Sequence, residues 1–254
     1  MPAAPQPRLA ALRAEIAALE RGARLDAETL SIGDARLDGR LPGGGLALGA
    51  WHAFAGEGLE IETAAASAAF VARLAVPLAR RGELVWVMRR DDLHAPGLAG
   101  LGLPADRLIL VCAPGEAEAL AVMEDALRTK GVAAVFGEVD EVDLVAGRRL
   151  QLASEQSGAV GFVLRRRPYG GAGRAATHPA AASRWTIAPA PSEPAPGEPG
   201  LGAPRWRVRL ERCRGGRTGD WILEASEDDD AAHPFRLVAE LGDRDAPAPL
   251  RLIA

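Results

Sequence analysis

The sequence predicts an α/β fold built on a mostly parallel sheet, and three observations support this prediction. Short apolar segments alternate with helical segments between residues 50 and 164. Several of these segments, such as ELVWVM at 83–88, are apolar throughout, which is typical of parallel strands covered on both faces. Residues 205–225 then alternate with period two around a glycine-containing connection, which predicts an antiparallel hairpin.

The first segment, residues 8–21, has the pattern of a helix with one apolar stripe. Such a stripe must pack on something. One alternative is the body of its own domain, and the other is a partner or a second copy of the chain. Four residues of the stripe are therefore candidates for docking: Leu9, Leu12, Ile16 and Leu19.

The central part alternates strands with helices. Strands are predicted at 50–55, 83–88, 108–112, 132–139 and 159–164, and helices at 63–80, 96–101, 114–131 and 148–156. Pro77 should kink or shorten the last turn of its helix. Because βαβ connections are right-handed and need parallel strands, this order predicts a twisted sheet flanked by helices.

The pattern changes after residue 164. A basic loop at 165–183 leads to a short strand at 183–188, and a Pro/Gly-rich loop at 189–204 precedes the hairpin strands at 205–212 and 220–225. We therefore divide the chain into an N-terminal helix (1–27), a core (28–226) and a C-terminal tail (227–254).

Composition excludes several classes of protein. The chain has 254 residues, 48% of them hydrophobic, which suits one large domain with appendages. A formal charge of −4 provides no global attraction to nucleic acid. Two cysteines form no disulfide framework, so a cytoplasmic location is expected. We expect neither a secretory signal nor a membrane-spanning helix.

Residues 41–71 have the layout of a phosphate-binding P-loop, G-x-x-x-x-G-K-[ST], with the wrong residues. Gly56 and Thr63 fit the pattern, but Ile61 replaces the second glycine and Glu62 replaces the lysine. A carboxylate about 4 Å from a phosphate charge is repelled by ~4 kcal/mol at an effective dielectric of 20. ATP hydrolysis is therefore not expected, and the loop is interpreted as a strand–helix connector.

Longer motifs resemble known families. The segments SIGDARLDGRLPGGGLALGAWHAFAGEGLEIET and LPADRLILVCAPGEAEALAVMEDALRTKGVAAVFGEVD resemble the RecA ATPase core, which implies a RecA-like P-loop NTPase fold. More narrowly, LPGGGLALGAWH, RRLQLA and the hairpin RWRVRLERCRGGRTGDW resemble the ImuA family. ImuA is the RecA-like member of a bacterial SOS mutagenesis cassette. Its partners there are ImuB, an inactive Y-family-like polymerase, and an error-prone polymerase subunit.

The RecA resemblance implies two further pocket positions. Arg90 falls where the family carries the acid that activates water, although a one-residue slip would place Asp91 there instead. Glu138 falls where the family carries its Mg²⁺-associated acid, and the alternative is a solvated strand end. The resemblance therefore implies that the fold is kept and the ATPase chemistry lost.

Basic residues suggest a DNA contact. Five residues follow the fifth predicted strand, where RecA carries a DNA-binding loop: Arg165, Arg166, Arg167, Tyr169 and Arg174. Arginines can bind phosphates and an aromatic ring can stack on a base, but a solvated loop is an equal alternative. Arg205, Arg207 and Arg209 share one face of the hairpin, which is either the wet face of a half-buried strand or a basic ridge for an acidic partner.

No histidine or cysteine spacing is typical of a metal site, and no serine lies in a hydrolase motif, so we expect no metal, cofactor or catalytic residue. The predicted function is a non-catalytic adaptor in damage-induced translesion DNA synthesis. Its expected partners are an ImuB-like protein, RecA and the error-prone polymerase assembly, with DNA reached indirectly. The alternatives are a DNA-dependent ATPase of RecA type and a cell-division inhibitor similar to SulA.

Overall fold

The computed structural model of the chain describes residues 28–166, 180–194, 197, 199–226 and 233–241, with Ile61 described by its backbone alone. The predicted N-terminal helix and its four docking candidates lie outside these residues. So do Arg167, Tyr169 and Arg174 of the basic loop, and most of the predicted tail.

The first half of the described chain contains two short strands and then the first βα units. Its elements are β1 (Thr29–Leu30), α1 (Ala35–Asp38), β2 (Leu46–Ala47), β3 (Trp51–Gly56), α2 (Glu60–Ala75), β4 (Glu83–Met88), α3 (Ala95–Gly100) and β5 (Leu108–Cys112). The second half contains α4 (Glu116–Arg128), β6 (Val132–Val139), α5 (Leu144–Ser157), β7 (Val160–Arg165), β8 (Ser183–Ala190), β9 (Arg205–Cys213), β10 (Gly219–Ala225) and β11 (Phe235–Glu240).

One large sheet organises the molecule. Among the described residues it has nine strands in the order β11-β10-β9-β8-β3-β7-β6-β4-β5, while β1 and β2 form a separate antiparallel pair. The six strands from β8 to β5 are parallel, and β9, β10 and β11 continue the sheet antiparallel. The structure therefore confirms the mostly parallel sheet and the C-terminal hairpin.

Helices cover both faces of the parallel part. On one face α2 inserts Phe70 between Phe54 and Phe235, whose ring centroids lie 6.2 and 4.7 Å away. On the other face α4 and α5 bury Met123 and Leu150 against the sheet. Burying side chains of this size stabilises the fold by about 1.5–3 kcal/mol each, so both helix layers hold the sheet in place.

Helix α2 is apolar on most sides because it lies against the sheet. The stretch Glu62–Arg80 has the length and mean hydropathy, 1.2, of a membrane-crossing helix, and 56% of it is buried inside the protein, as in a core helix. Its last turn tightens into a 3-10 turn, Val76–Arg80, because Pro77 cannot donate the helical hydrogen bond. The predicted effect of Pro77 is confirmed.

Two predicted boundaries need correction. Helix α5 begins four residues earlier than predicted, because the carboxylate of Asp143 accepts a hydrogen bond of 2.7 Å from the backbone N–H of Ala146 and caps the helix. Residue 226 is not the end of the core, because β11 pairs with β10 and buries Phe235 and Leu237. The alternation of apolar and polar residues in β11 is short and follows an acidic turn, so the sequence pattern did not reveal this strand.

A buried polar group lies near the start of β3. His52 is 1% exposed, and its Nε2 lies 2.9 Å from the carbonyl oxygen of Ala47. A carbonyl only accepts, so Nε2 carries the proton and Nδ1 accepts from the Ser183 hydroxyl at 2.6 Å. The same hydroxyl oxygen accepts from Trp185 Nε1 at 2.7 Å. Burial lowers the pKa of His52 to about 4, so the ring is neutral.

Candidate functional site: a phosphate-loop position occupied by internal ion pairs

The P-loop position is a short connection between β3 and α2. Only residues 57–59 separate the end of β3 at Gly56 from the first residue of α2, Glu60. Leu59 precedes the helix without a side-chain cap, and the first turn carries two acids, Glu60 and Glu62. Carboxylates at a helix N-terminus complement its partial positive charge, which is the same charge that a phosphate would need.

Thr63 is used internally. Its side chain is 3% exposed, and its hydroxyl donates to the carbonyl oxygen of Leu59 at 3.0 Å. It also packs directly on Gly56, where a Cβ atom would overlap the threonine side chain. The glycine and threonine that match the P-loop pattern therefore contact each other, and the space between them is filled.

Glu57 anchors the connection to the antiparallel part of the sheet. Its carboxylate accepts from Arg209 Nη2 at 3.0 Å and lies 3.9 Å from Arg207 Nη1. Its backbone N–H donates to the carbonyl oxygen of Ile187 in β8 at 2.9 Å. This acid of the loop is therefore paired with arginines of β9.

Arg166 makes the central contacts of the site. It directly follows β7, where its backbone N–H donates to Val139 at the end of β6 at 3.0 Å. Its guanidinium donates to Glu60 at 2.8 Å, to Glu138 at 2.7 Å and to Asp92 at 2.9 Å. These carboxylates come from the start of α2, from β6 and from the turn after β4, so one arginine joins the carboxyl ends of separate strands.

Glu138 is the most buried member of this cluster. Its side chain is 3% exposed, and its second oxygen accepts from Trp86 Nε1 at 2.9 Å. Burial raises the pKa of Glu138, while Arg166 and then the Trp86 hydrogen bond oppose the rise. Burial acts to lower the pKa of Arg166, but Glu138 and the other two carboxylates outweigh it and raise that pKa above its usual value.

A cavity opens beside the cluster. It has a volume of 540 Å³ and is lined by Glu60, Arg90, Asp92, His94, Leu98 and Arg166 among others. It lies outside the carboxyl ends of parallel strands, where ligands bind in open α/β folds. Glu60 and Asp92 in its wall are both bonded to Arg166, so the carboxylates that face the cavity are already paired within the protein.

These residues do not fit a nucleoside triphosphate. A P-loop needs a run of free backbone N–H groups and a lysine for the phosphate oxygens. The connection is three residues long, Glu62 is exposed at the lysine position, and the guanidinium of Arg166 is already bonded to carboxylates. Glu60 Oε2 is buried without a hydrogen-bond partner, which adds an acceptor where a phosphate would need donors.

The structure places the sequence-predicted residues as follows. Gly56, the Ile61 backbone, Glu62 and Thr63 lie together at the β3–α2 junction, with Arg90 exposed in the turn after β4. Because Glu138 is buried, the alternative of a solvated strand end is wrong. Of the predicted DNA-contact residues, Arg165 ends β7 and Arg166 lies in the ion cluster with 19% of its side chain exposed.

The basic face of the hairpin is neutralised by acids. Arg207 and Arg209 both bond to Asp220 of β10, and Arg205 donates to Glu224 at 2.5 Å. Burial opposes the charge on Asp220, but Arg207 and Arg209 outweigh it and hold its pKa below the usual value. Alternate residues of β9 are buried, so this face matches the half-buried strand of the two alternatives.

The sequence motifs do not reveal the ion cluster. Arg166 is predicted from the sequence as a DNA contact, and it is not paired with Glu60 or Asp92. A usable signal was present, because each of these residues follows the end of a parallel strand and such ends meet at one edge of a sheet.

Within the described residues, no three His, Cys, Asp or Glu side chains are arranged to hold a metal ion.

Comparison with known proteins agrees with the narrower resemblance. The chain is 58% identical over 236 residues to the protein ImuA of two strains of Caulobacter vibrioides, covering 91% of this chain and 97% of the relative. No family model matches the sequence. Identity at this level over nearly the full length of both chains shows common descent, and the chain belongs to the ImuA family.

Proposed function

We propose that this chain is a non-catalytic accessory and adaptor protein in damage-induced translesion DNA synthesis. It keeps a RecA-like core, lacks ATP hydrolysis and works in the cytoplasm. Its principal partner is an ImuB-like inactive Y-family polymerase, and RecA and the error-prone polymerase assembly are further members of the complex. Family membership supports the mutagenesis role.

The observation that carries the non-catalytic part is the Arg166 cluster. If the P-loop had only lost its lysine, its acids would be left unpaired. Instead Glu57 is held by arginines of β9, and Glu60 and Glu138 are held by Arg166. Acids with internal partners are typical of a site that has become structural, because an unpaired buried carboxylate would destabilise the fold.

A thermal-shift titration with ATP and Mg²⁺ tests the pocket. We expect no change of the melting temperature for the natural chain or for Glu62→Lys, because restoring the lysine charge does not lengthen the connection or free Arg166. A shift of several degrees in the natural chain would support the alternative of an atypical DNA-dependent ATPase.

Co-purification tests the adaptor role. The chain is co-expressed with the ImuB-like protein of the same organism and, separately, with the division GTPase that a SulA-like inhibitor would bind. We expect a stable complex with the ImuB-like protein alone. Retention of the division GTPase without the ImuB-like protein would contradict the proposal.

Direct DNA binding is tested with labelled single-stranded DNA. The informative variant is Arg165→Ala with Arg167→Ala, because Arg166 stabilises the fold and would confound the result. We expect weak binding that these substitutions do not change, since DNA is reached through the partner. A large loss of affinity would instead assign the basic loop to DNA contact.

A further inference from the structure

The outer strand of the parallel sheet, β5, is unusually apolar for an edge. Ile109 and Leu110 are 47% and 41% exposed, and Cys112 is also exposed. No described strand pairs with its outer side. Exposed apolar edge strands invite association with other chains, so natural proteins usually shorten, charge or cover them.

The two faces of β5 can be assigned from its register. Leu108, Leu110 and Cys112 pair with Leu84, Trp86 and Met88 of β4. Paired residues of parallel strands point to the same face of a sheet, and Leu84 and Trp86 belong to the core layer that contains α2 and β1. Leu110 and Cys112 therefore lie on the same face of the sheet as β1, the first strand of the described chain.

The described chain begins close to this edge. The carboxylate of Glu28 lies 2.9 Å from Arg81 Nη1, immediately before β4. Glu83, at the start of β4, in turn bonds Arg107 at 2.8 Å, immediately before β5. Adjacent strands are about 4.8 Å apart, so the 27 residues before Glu28 start about two strand spacings from β5.

Those residues carry an apolar stripe of matching length. A helix over 8–21 would be about 21 Å long, and a five-residue strand spans about 16 Å. The six residues 22–27 can extend about 20 Å, enough to reach from Glu28 to either end of β5. An apolar edge and an apolar helix stripe of one chain thus lie within reach of each other.

We propose that the N-terminal segment covers the β5 edge of its own chain, with Leu9, Leu12, Ile16 and Leu19 packed on the face formed by Leu110 and Cys112. Covering removes apolar surface of both elements from water. The proposal concerns the chain alone and does not depend on the identity of a partner, so it can fail while the proposed function stands.

The reactivity of the Cys112 thiol measures whether the N-terminal segment covers the β5 edge. Its rate of modification by a maleimide is measured in the full-length chain, with Cys213, half-buried in β9, as an internal control. The test variant is Leu12→Asp with Ile16→Asp, which places two charges on the stripe. The matched control is Ala14→Asp with Ala18→Asp, which places the same charges on the opposite side of the predicted helix.

We expect the stripe variant to raise the Cys112 rate about tenfold or more, because modification then needs no local opening. The Cys213 rate should stay constant, which also shows that the core is intact. The control variant should match the natural chain.

Three results would overturn the proposal. Equal Cys112 rates in the stripe variant and the natural chain would mean that the segment does not cover β5. Equal acceleration in both variants would remove the stripe as the cause. Protection that disappears on dilution of the natural chain would show that a second copy, and not the same chain, covers the edge.

Discussion

Replacing Arg166 with methionine should destabilise the fold severely, because three carboxylates lose their common partner. Methionine keeps much of the volume of the side chain and removes its charge. Glu138, at 3% exposure, would lose its ion pair and keep the hydrogen bond from Trp86. Glu60, with a side chain 12% exposed, would lose its ion pair as well.

The expected loss is about 3 kcal/mol of unfolding free energy. Truncating one partner of a buried ion pair costs about 3–5 kcal/mol, since the other charge stays buried and uncompensated. We take the lower end because Arg166 is itself partly exposed and Asp92, at 42%, is screened by water. For a chain of this size the melting temperature should fall by roughly 6–12 °C.

The loss of stability in Arg166→Met should become smaller as pH falls. Without Arg166 the pKa of Glu138 rises further, because burial is then less opposed. The folded state binds a proton that the unfolded state does not, so the variant regains stability as pH falls through the raised pKa of folded Glu138. The natural chain should show a smaller recovery, because Arg166 limits the rise of this pKa there.

Equilibrium urea unfolding at about pH 7.5 and about pH 5.5 measures both effects. Adding Glu138→Gln to Arg166→Met should restore part of the stability and abolish the pH recovery, since the amide is neutral and can still accept from Trp86. The matched control is Arg107→Met, whose pair with Glu83 is half exposed and should change stability by about 0–1 kcal/mol. A loss in Arg166→Met no larger than in this control, or no rescue by Glu138→Gln, would refute the structural role of the cluster.

Three further substitutions test other parts of the structure. His52→Gln should flatten the curve of stability against pH below about pH 6.5. Because the folded pKa of His52 is about 4, the natural chain loses up to about 3 kcal/mol of stability as pH falls from 6.5 towards 4. Phe235→Ala should lower the unfolding free energy by about 3–5 kcal/mol in urea titrations if β11 belongs to the core. Gly137→Ala should cost about 1–3 kcal/mol in the same assay, because the added methyl would overlap Met123.

Each of these three predictions can be contradicted by a specific result. A pH slope in His52→Gln equal to that of the natural chain would mean that another group titrates in this range. The control for Phe235 is Val238→Ala on the exposed side of β11, at 40% exposure, and an equal effect of the two would argue against a buried strand. A Gly137→Ala chain as stable as the natural one would show that Met123 moves aside easily.

Much of the fold was predictable because it rests on local patterns. The strands Glu83–Met88, Leu108–Cys112 and Val132–Val139 have the predicted bounds. Each is a run of β-formers with a clear start, and each pairs with parallel neighbours. The start of α5 and the strand β11 were not predicted, because one depends on a side-chain cap and the other on a partner strand.

The sequence by itself determined the alternation of strands and helices, the membership of the ImuA family and the reversal of charge at Glu62. These depend on residue type and order. Only the tertiary structure decided how the other acids of this region are neutralised, because Arg166 meets Glu60, Asp92 and Glu138 across gaps of 106, 74 and 28 residues. Pairing at such separations depends on which strands are neighbours in the sheet, and no local pattern encodes that order.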